Sequence, residues 1–318
     1  MVTFHNVSSF FLYMLPTPLT CALILPFCLI TMQVSQRAGG FSMKFLFPGF
    51  RPRALTFSYD DGVEQDIRLM DIFARYHFAA TFNLNSGLWA SDGTVYPQGQ
   101  IHRRMTLKQA RDVYDASSYE IATHCVTHAS LPDLPDSEII RELFLDRMNL
   151  EKQFSRPLIT GMAYPYGTCD ARTAGLAESC GIRYARTVQS TRRFDIPKNF
   201  LLWNPTCHHD DPKALELAEQ FLTTQEDQMS LFYIWGHSYE FEEHDNWDQM
   251  EILCHRLSAH NDIWYATNGE ICEYVQATRQ ARFSADGSVI FNPTASKLYL
   301  LDHDKRHVLA PGQTLRLI

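Results

Sequence analysis

From Ala54 to about Gln276, short apolar runs alternate with longer amphipathic ones, and this alternation constrains the fold more than any other feature of the sequence. The short runs, rich in β-branched and aromatic residues, predict strands at Leu55–Tyr59, Ala80–Leu84, Glu120–Thr123, Leu158–Tyr164, Tyr184–Val188, Phe200–Trp203, Leu231–Trp235 and Ile263–Ala266. Helical patterns fall between several of them, at Gln65–Tyr76, Leu107–Ala116, Asp136–Phe154, Ala171–Cys180, Lys213–Leu222 and Trp247–His260. The helix near Asp136 carries start chemistry in Pro135-Asp136-Ser137-Glu138, a cap followed by early acids. Such alternation reads as a barrel-like or open parallel α/β domain, and 318 residues, 45% of them hydrophobic, suffice for one large core with appendages. These folds place their chemistry at the C-terminal ends of the strands.

The strand ends hold reactive residues. The first predicted strand runs into Thr56-Phe57-Ser58-Tyr59-Asp60-Asp61-Gly62, two adjacent carboxylates at a turn that Gly62 permits. Adjacent like charges repel, so the pair calls for separate roles, one carboxylate holding a cation while the other stays free as a base; the plain alternative is an acidic turn. The strand at Glu120 ends in His124-Cys125-Val126-Thr127-His128, two imidazoles at a spacing that suits a metal, against the alternative of two unrelated loop histidines among the 13 in the chain. Joined with Asp61, the pair offers two neutral nitrogens and a carboxylate, leaving positions open for water and substrate. Pro165-Tyr166-Gly167 follows the next strand, a turn that aims the Tyr166 N–H at an oxyanion or is an ordinary Pro/Gly turn. His237, in Gly236-His237-Ser238-Tyr239-Glu240-Phe241, is either a general acid or a satisfied core histidine.

In this order the residues resemble the polysaccharide deacetylase family, the NodB-homology domain of carbohydrate esterase family 4, over about Ala54 to Tyr274. Thr56–Gly62 matches the family's T-F-[SD]-x-D-D-G form and His124–His128 its H-x-x-x-H. The resemblance implies a deformed (β/α) barrel and a metal-dependent hydrolase that removes acetyl groups from acetylated sugars, commonly N-acetylglucosamine units, with a divalent metal, usually zinc. Residue by residue it implies Asp60 as catalytic base, Asp61, His124 and His128 as metal ligands, the Tyr166 backbone as oxyanion donor and His237 as acid. Where the family's third motif reads Arg-Pro-Pro-Tyr-Gly, this chain has Ala163-Tyr164-Pro165-Tyr166-Gly167, so the arginine that tethers the base is missing. Arg186, at the end of the following strand, is the sequence candidate to replace it. The fourth motif is loosely matched by Trp203-Asn204-Pro205-Thr206-Cys207-His208-His209-Asp210, with Trp203 either in the cleft or in the core, and Glu240 either orients His237 or is a solvated loop acid.

Residues 43–276 are therefore expected to form the catalytic domain. Residues 277–318, with short alternating runs and Asp-Gly and Pro-Gly turns, are expected to form a small β appendage that packs rather than reacts. Residues 1–42 form an apolar leader: Phe10 to Val34 is almost uncharged, interrupted by three prolines and followed, not preceded, by basic residues. A disordered tail, a membrane anchor and a start at Met43 all remain open for it. A cytoplasmic location is favoured, with anchoring or secretion through residues 10–34 as alternatives. The net charge of -8 and the lack of a long Lys/Arg run exclude a nucleic-acid footprint, and eight cysteines without a Cys-x-x-Cys pair read as free thiols. Hydrolysis of a carbon–nitrogen bond other than a peptide bond is the reading that follows. Its rivals are a metal-dependent amidase acting on a small non-sugar amide and a catalytically silent sugar-binding protein.

Overall fold

The computed structural model describes residues 43–155, 158–224 and 228–317. Its strands are β1 (Met43–Leu46), β2 (Arg53–Asp60), β3 (Thr81–Leu84), β4 (Glu120–Thr123), β5 (Gly161–Ala163), β6 (Tyr184–Arg186), β7 (Cys207–His208), β8 (Ser230–Gly236), β9 (Ile263–Tyr265), β10 (Arg282–Phe283), β11 (Val289–Phe291), β12 (Leu298–Asp302), β13 (Lys305–Leu309) and β14 (Thr314–Arg316). The main sheet is parallel in the order β6-β5-β4-β3-β2-β8-β7. β9 pairs with Arg53–Leu55 of β2, and β3 takes over further along, at Ser58–Asp60. Strands β2 and β8 are buried along their whole length, as parallel strands covered on both faces must be.

The sheet curls and closes through an irregular segment. The Trp203 N–H donates to the Ala185 carbonyl (2.9 Å) and the Thr187 N–H to that of Trp203 (3.0 Å), tying the segment to β6. A few residues later the N–H groups of Thr206 and His209 donate to Tyr233 and Trp235 of β8 (2.8 and 2.9 Å). The result is a deformed (β/α) barrel. Phe200–Trp203, expected as a strand, is instead a 3-10 turn at Phe200–Leu202, and the short strand on this path is β7. Trp203 is buried against Tyr184, Phe200 and Tyr233, so it is a core tryptophan and lines no cleft.

Period-two alternation along β2 decides what faces where. Leu55, Phe57 and Tyr59 pack outward among Leu69, Phe73 and the residues of the helix Trp247–Leu257. Thr56, Ser58 and Asp60 point the other way. Thr56 Oγ1 donates to Asn268 Oδ1 and Ser58 Oγ accepts from Asn83 Nδ2, both at 2.8 Å. A column of small polar residues thus leads up the inner face to the carboxylate at the strand's end.

The expected helices are present to within a few residues at Asp66–Arg75, Leu107–Tyr114, Asp136–Gln153, Ala171–Ser179, Ala214–Thr223 and Trp247–Leu257. Asp136–Gln153 starts differently from the expectation: Pro135 holds the capping position, with no side-chain bond, and Asp136 and Glu138 contribute only their charge to the first turn. An additional helix, Asn268–Gln280, has a capping box between Thr267 and Glu270 and runs across the expected boundary at 276. The C-terminal strands form two three-stranded antiparallel sheets, β1-β12-β13 and β10-β11-β14. Met43–Leu46, expected only to lead into the barrel, is the first strand of one of them, because its partner Leu298–Asp302 returns to it at the end of the chain. Leu298, Leu300 and Leu309 pack in one cluster with Phe47 and Tyr274, beneath the barrel rather than apart from it.

No helix of the described residues is long and apolar enough to cross a membrane. The apolar leader, with Cys21 and Cys28, lies outside the described residues; the six cysteines within them are free.

Candidate active site

The strand ends converge on the buried carboxylates Asp60 and Asp61, whose environments differ. Asp60 ends β2 in ordinary extended backbone. Its Oδ1 accepts from Asn83 Nδ2 (2.8 Å), and Oδ2 is ion-paired with the Arg186 guanidinium. His124 and His237 bring their Nε2 atoms to 3.8 and 3.9 Å from the same oxygen. Burial alone pushes a carboxyl upward, but Arg186, then His124 and His237, outweigh it and hold Asp60 below its ordinary range.

Arg186 is fully buried, its guanidinium carbon 4.3 Å from the centre of the Trp235 ring and its Nη1 donating to the Thr187 carbonyl (3.2 Å). The structure therefore brings a cation to Asp60 from β6, at the position paired with Ala163 of β5, which supplies none.

Asp61, the next residue, has φ +88°, a turn conformation that redirects its side chain out of the strand's plane. Arg104 Nη2 donates to its Oδ1 (2.8 Å) and His102 Nε2 lies 3.3 Å from its Oδ2. Burial again pushes the carboxyl up; the His102 bond and the Arg104 charge override it and hold Asp61 far below the usual range. A carboxylate offers about four acceptor positions, so these partners leave lone pairs for an ion.

The loop after β4 reverses through Cys125 and His128, at φ +66° and +57°. His124 is buried, and its Nδ1 lies 2.8 Å from the Ala163 carbonyl. That bond places the ring's proton on Nδ1 and leaves Nε2 with a lone pair toward the carboxylates. Burial lowers the His124 pKa to about 4, so the imidazole is neutral near pH 7. The His128 ring stands edge-on to His124, with centres 4.7 Å apart, and is also held below its ordinary value, chiefly by burial. One donor atom each from Asp61, His124 and His128 lie within 4.8 Å of one another. Two neutral nitrogens and one anionic oxygen form a donor set that fits a divalent ion of the zinc type.

Tyr166 sits in the turn Pro165–Gly167 at φ +59°, its side chain on the rim and its ring 4.5 Å from that of His128. Among the described residues its N–H donates to no backbone acceptor. His237, just past β8, directs Nδ1 to Glu240 Oε1 (3.1 Å), and its own N–H donates to Glu240 Oε2 (2.9 Å). Burial would lower the His237 pKa; Glu240 and then Asp60 more than offset it, so the imidazolium form persists above the ordinary range.

The seven residues nominated in the sequence for catalysis or metal binding, Asp60, Asp61, His124, His128, Tyr166, Arg186 and His237, lie around this cleft, and Glu240 joins them beside His237. Sequence reading missed Asn83, His102 and Arg104, and held His208 only as a member of the loosely matched fourth motif, without a role. Asn83 carried a signal only as a polar residue inside the predicted strand Ala80–Leu84, and the structure sets it in register with Asp60; the pair Arg103-Arg104, in an irregular loop, carried none.

The family model for polysaccharide deacetylases matches residues 49–185. No curated protein matches the chain. Among solved structures, a Mycobacterium smegmatis protein assigned as a polysaccharide deacetylase is 16% identical with a TM-score of 0.53, covering 74% of this chain and 94% of its own. The chitin deacetylase of the fungal pathogen Colletotrichum lindemuthianum is 16% identical with a TM-score of 0.46, covering 73% and 92%. The Streptococcus pyogenes deacetylase PplD is 20% identical with a TM-score of 0.40 over 46% of this chain, which spans 61% of that protein. At these identities the Mycobacterium structure speaks to the fold alone.

Proposed function

We propose, from the match of residues 49–185 to the polysaccharide deacetylase family model, that this protein hydrolyses acetyl groups from an acetylated carbohydrate, an N-acetylglucosamine-type amide above others. The observation that carries the reading is the division of labour between neighbouring carboxylates. Asp60 is held by Arg186 and Asn83, while Asp61 stands with two neutral imidazoles.

Asp61, His124 and His128 are the residues that would hold a divalent ion, zinc by the character of the donors. Bound there, such an ion polarises the acetyl carbonyl and makes water a better nucleophile near neutral pH. Asp60, kept ionised by Arg186, takes a proton from the attacking water as its oxygen adds to the carbonyl carbon. The unpaired Tyr166 N–H is available to the oxyanion of the tetrahedral intermediate. His237, kept protonated by Glu240, gives its Nε2 proton to the leaving nitrogen as the carbon–nitrogen bond breaks, so the products are acetate and a free amine. An acetyl ester would follow the same course with an alcohol leaving.

The test is acetate release from a panel of acetylated mono- and oligosaccharides after zinc reconstitution. Release from glucosamine-type amides is expected. Turnover of a simple amide with none of the sugars would favour the small-amide reading, and tight sugar binding without turnover a silent binder.

A further inference from the structure

We infer that His208 is a positioning residue for the reaction, fixing the carboxylate of Glu240 and through it the imidazole of His237; this rests on the reading of His237 as proton donor. His208 ends β7, next to the end of β8 from which His237 emerges. The Asp210 N–H donates to His208 Nδ1 at 3.2 Å. A ring nitrogen that accepts has its lone pair in use, so the ring is neutral and its proton is on Nε2. That Nε2 lies 3.1 Å from Glu240 Oε2. The same oxygen accepts the His237 N–H (2.9 Å), and Oε1 lies 3.1 Å from His237 Nδ1.

The chain of contacts runs from the Asp210 backbone through His208 and Glu240 to His237, and it leaves His237 Nε2 for the reacting side. A glutamate side chain has three rotatable bonds. Held only by the loop that also carries His237, it would move with that loop; His208 ties it to a separate strand. The Trp235 ring stands edge-on to the His208 ring, with centres 4.7 Å apart, and sets its plane.

A second metal is the competing explanation, because His208, Glu240 and His237, and likewise His208, His209 and Asp210, gather their donor atoms closely. Both sets need a lone pair on His208, and both of its nitrogens are already committed. His209 belongs to the packing: it lies between Tyr59 and Phe241, with ring centres 5.7 and 4.1 Å away.

The test combines spectroscopy with kinetics on the full chain. Nitrogen-15 spectra of the histidine rings are expected to show His208 as a neutral ring protonated on Nε2, with and without zinc. His208→Ala should lower kcat by about tenfold at unchanged KM, as loss of a supporting hydrogen-bond partner does, and His208→Gln, which retains a donor, should recover most of it. In a Glu240→Gln background His208→Ala should cost less than about twofold, because its effect passes through Glu240. An imidazolium or an Nδ1-protonated ring, multiplicative losses in the double variant, or loss of a second equivalent of zinc with His208→Ala would each overturn the inference. Should His237→Asn keep full kcat, the proton-donor reading falls and takes the inference with it. A crippled His237→Asn alongside multiplicative losses overturns the inference alone.

Discussion

Two halves of the cleft are built in opposite ways. The half that gathers Asp61, His124, His128 and Tyr166 is made of loop residues, three of them at positive φ, drawn from the ends of β2, β4 and β5. The half that handles protons, Asp60, Arg186, His237, Glu240 and His208, is made at or just beyond the ends of β2, β6, β8 and β7, and its members are joined by ion pairs and hydrogen bonds. Asp60 and Asp61 are neighbours in the chain and belong to different halves. Ligand geometry is set by local turns, whereas the proton half depends on groups that separate strands bring together, Arg186 with Asp60 and His208 with Glu240.

Removal of a ligand should have the largest effect. His124→Ala deletes a buried ring whose Nδ1 is anchored at 2.8 Å. Loss of stoichiometric zinc, with activity falling in proportion to occupancy, is expected, and metal analysis beside circular dichroism checks it. Full zinc content in a folded His124→Ala protein would remove the metal half of the comparison.

Asp60→Asn should come next. It keeps the shape and the three ligands but removes the base, so zinc should stay while kcat falls by roughly 10²–10⁴-fold. The opposite pattern, retained turnover with lost metal, would mean the carboxylates have been assigned the wrong way round.

The same contrast governs what could be read from the sequence. Asp61, His124, His128 and Tyr166 each sit in a short contiguous motif, so local spacing sufficed to nominate them. Arg186 was nominated only as the nearest strand-end cation once the missing arginine at Ala163 was noticed. Its pairing with Asp60 depends on the curl of the sheet, which no local pattern encodes. Arg104, and the role of His208 within its loosely matched motif, were beyond reach for the same reason: the partner of each is a carboxylate far away in sequence, set against it only when the barrel closes. The strands were legible where they were continuous and apolar, as in β2 and β8, and failed at Phe200–Trp203, where aromatic residues fill the core from an irregular turn.

Arg186→Met separates stability from chemistry. Breaking one side of a buried ion pair leaves an uncompensated charge, so a loss of about 3–5 kcal/mol and a lower kcat are expected. The double change Arg186→Met with Asp60→Asn should regain much of that stability, since no buried charge is left alone, while remaining as slow as Asp60→Asn. Denaturant melts of the four proteins measure this, and a double variant as unstable as Arg186→Met alone would show that Arg186 acts by packing on Trp235 and not by charge.

The smallest effect is expected from Glu240→Gln, and it probes the proton half at a distance from Asp60. His237 titrates above its ordinary range because Glu240, and then Asp60, outweigh burial. A proton donor must be protonated to act, so a raised pKa carries activity to higher pH, and the alkaline limb of kcat marks the loss of that proton. Replacing Glu240 by the neutral amide removes the larger raising influence and leaves burial, which pushes downward. The alkaline limb should therefore move to lower pH, beside the loss of about tenfold in kcat at every pH that giving up the Glu240 support of His237 brings. The stability linkage has the same sign: the His237–Glu240 contribution is present in full below the unfolded imidazole value and disappears as pH rises through the folded one, so wild type and variant should converge in stability at alkaline pH. An alkaline limb that stays in place in Glu240→Gln would assign that limb to a group other than His237, and the proton half would then need a different donor.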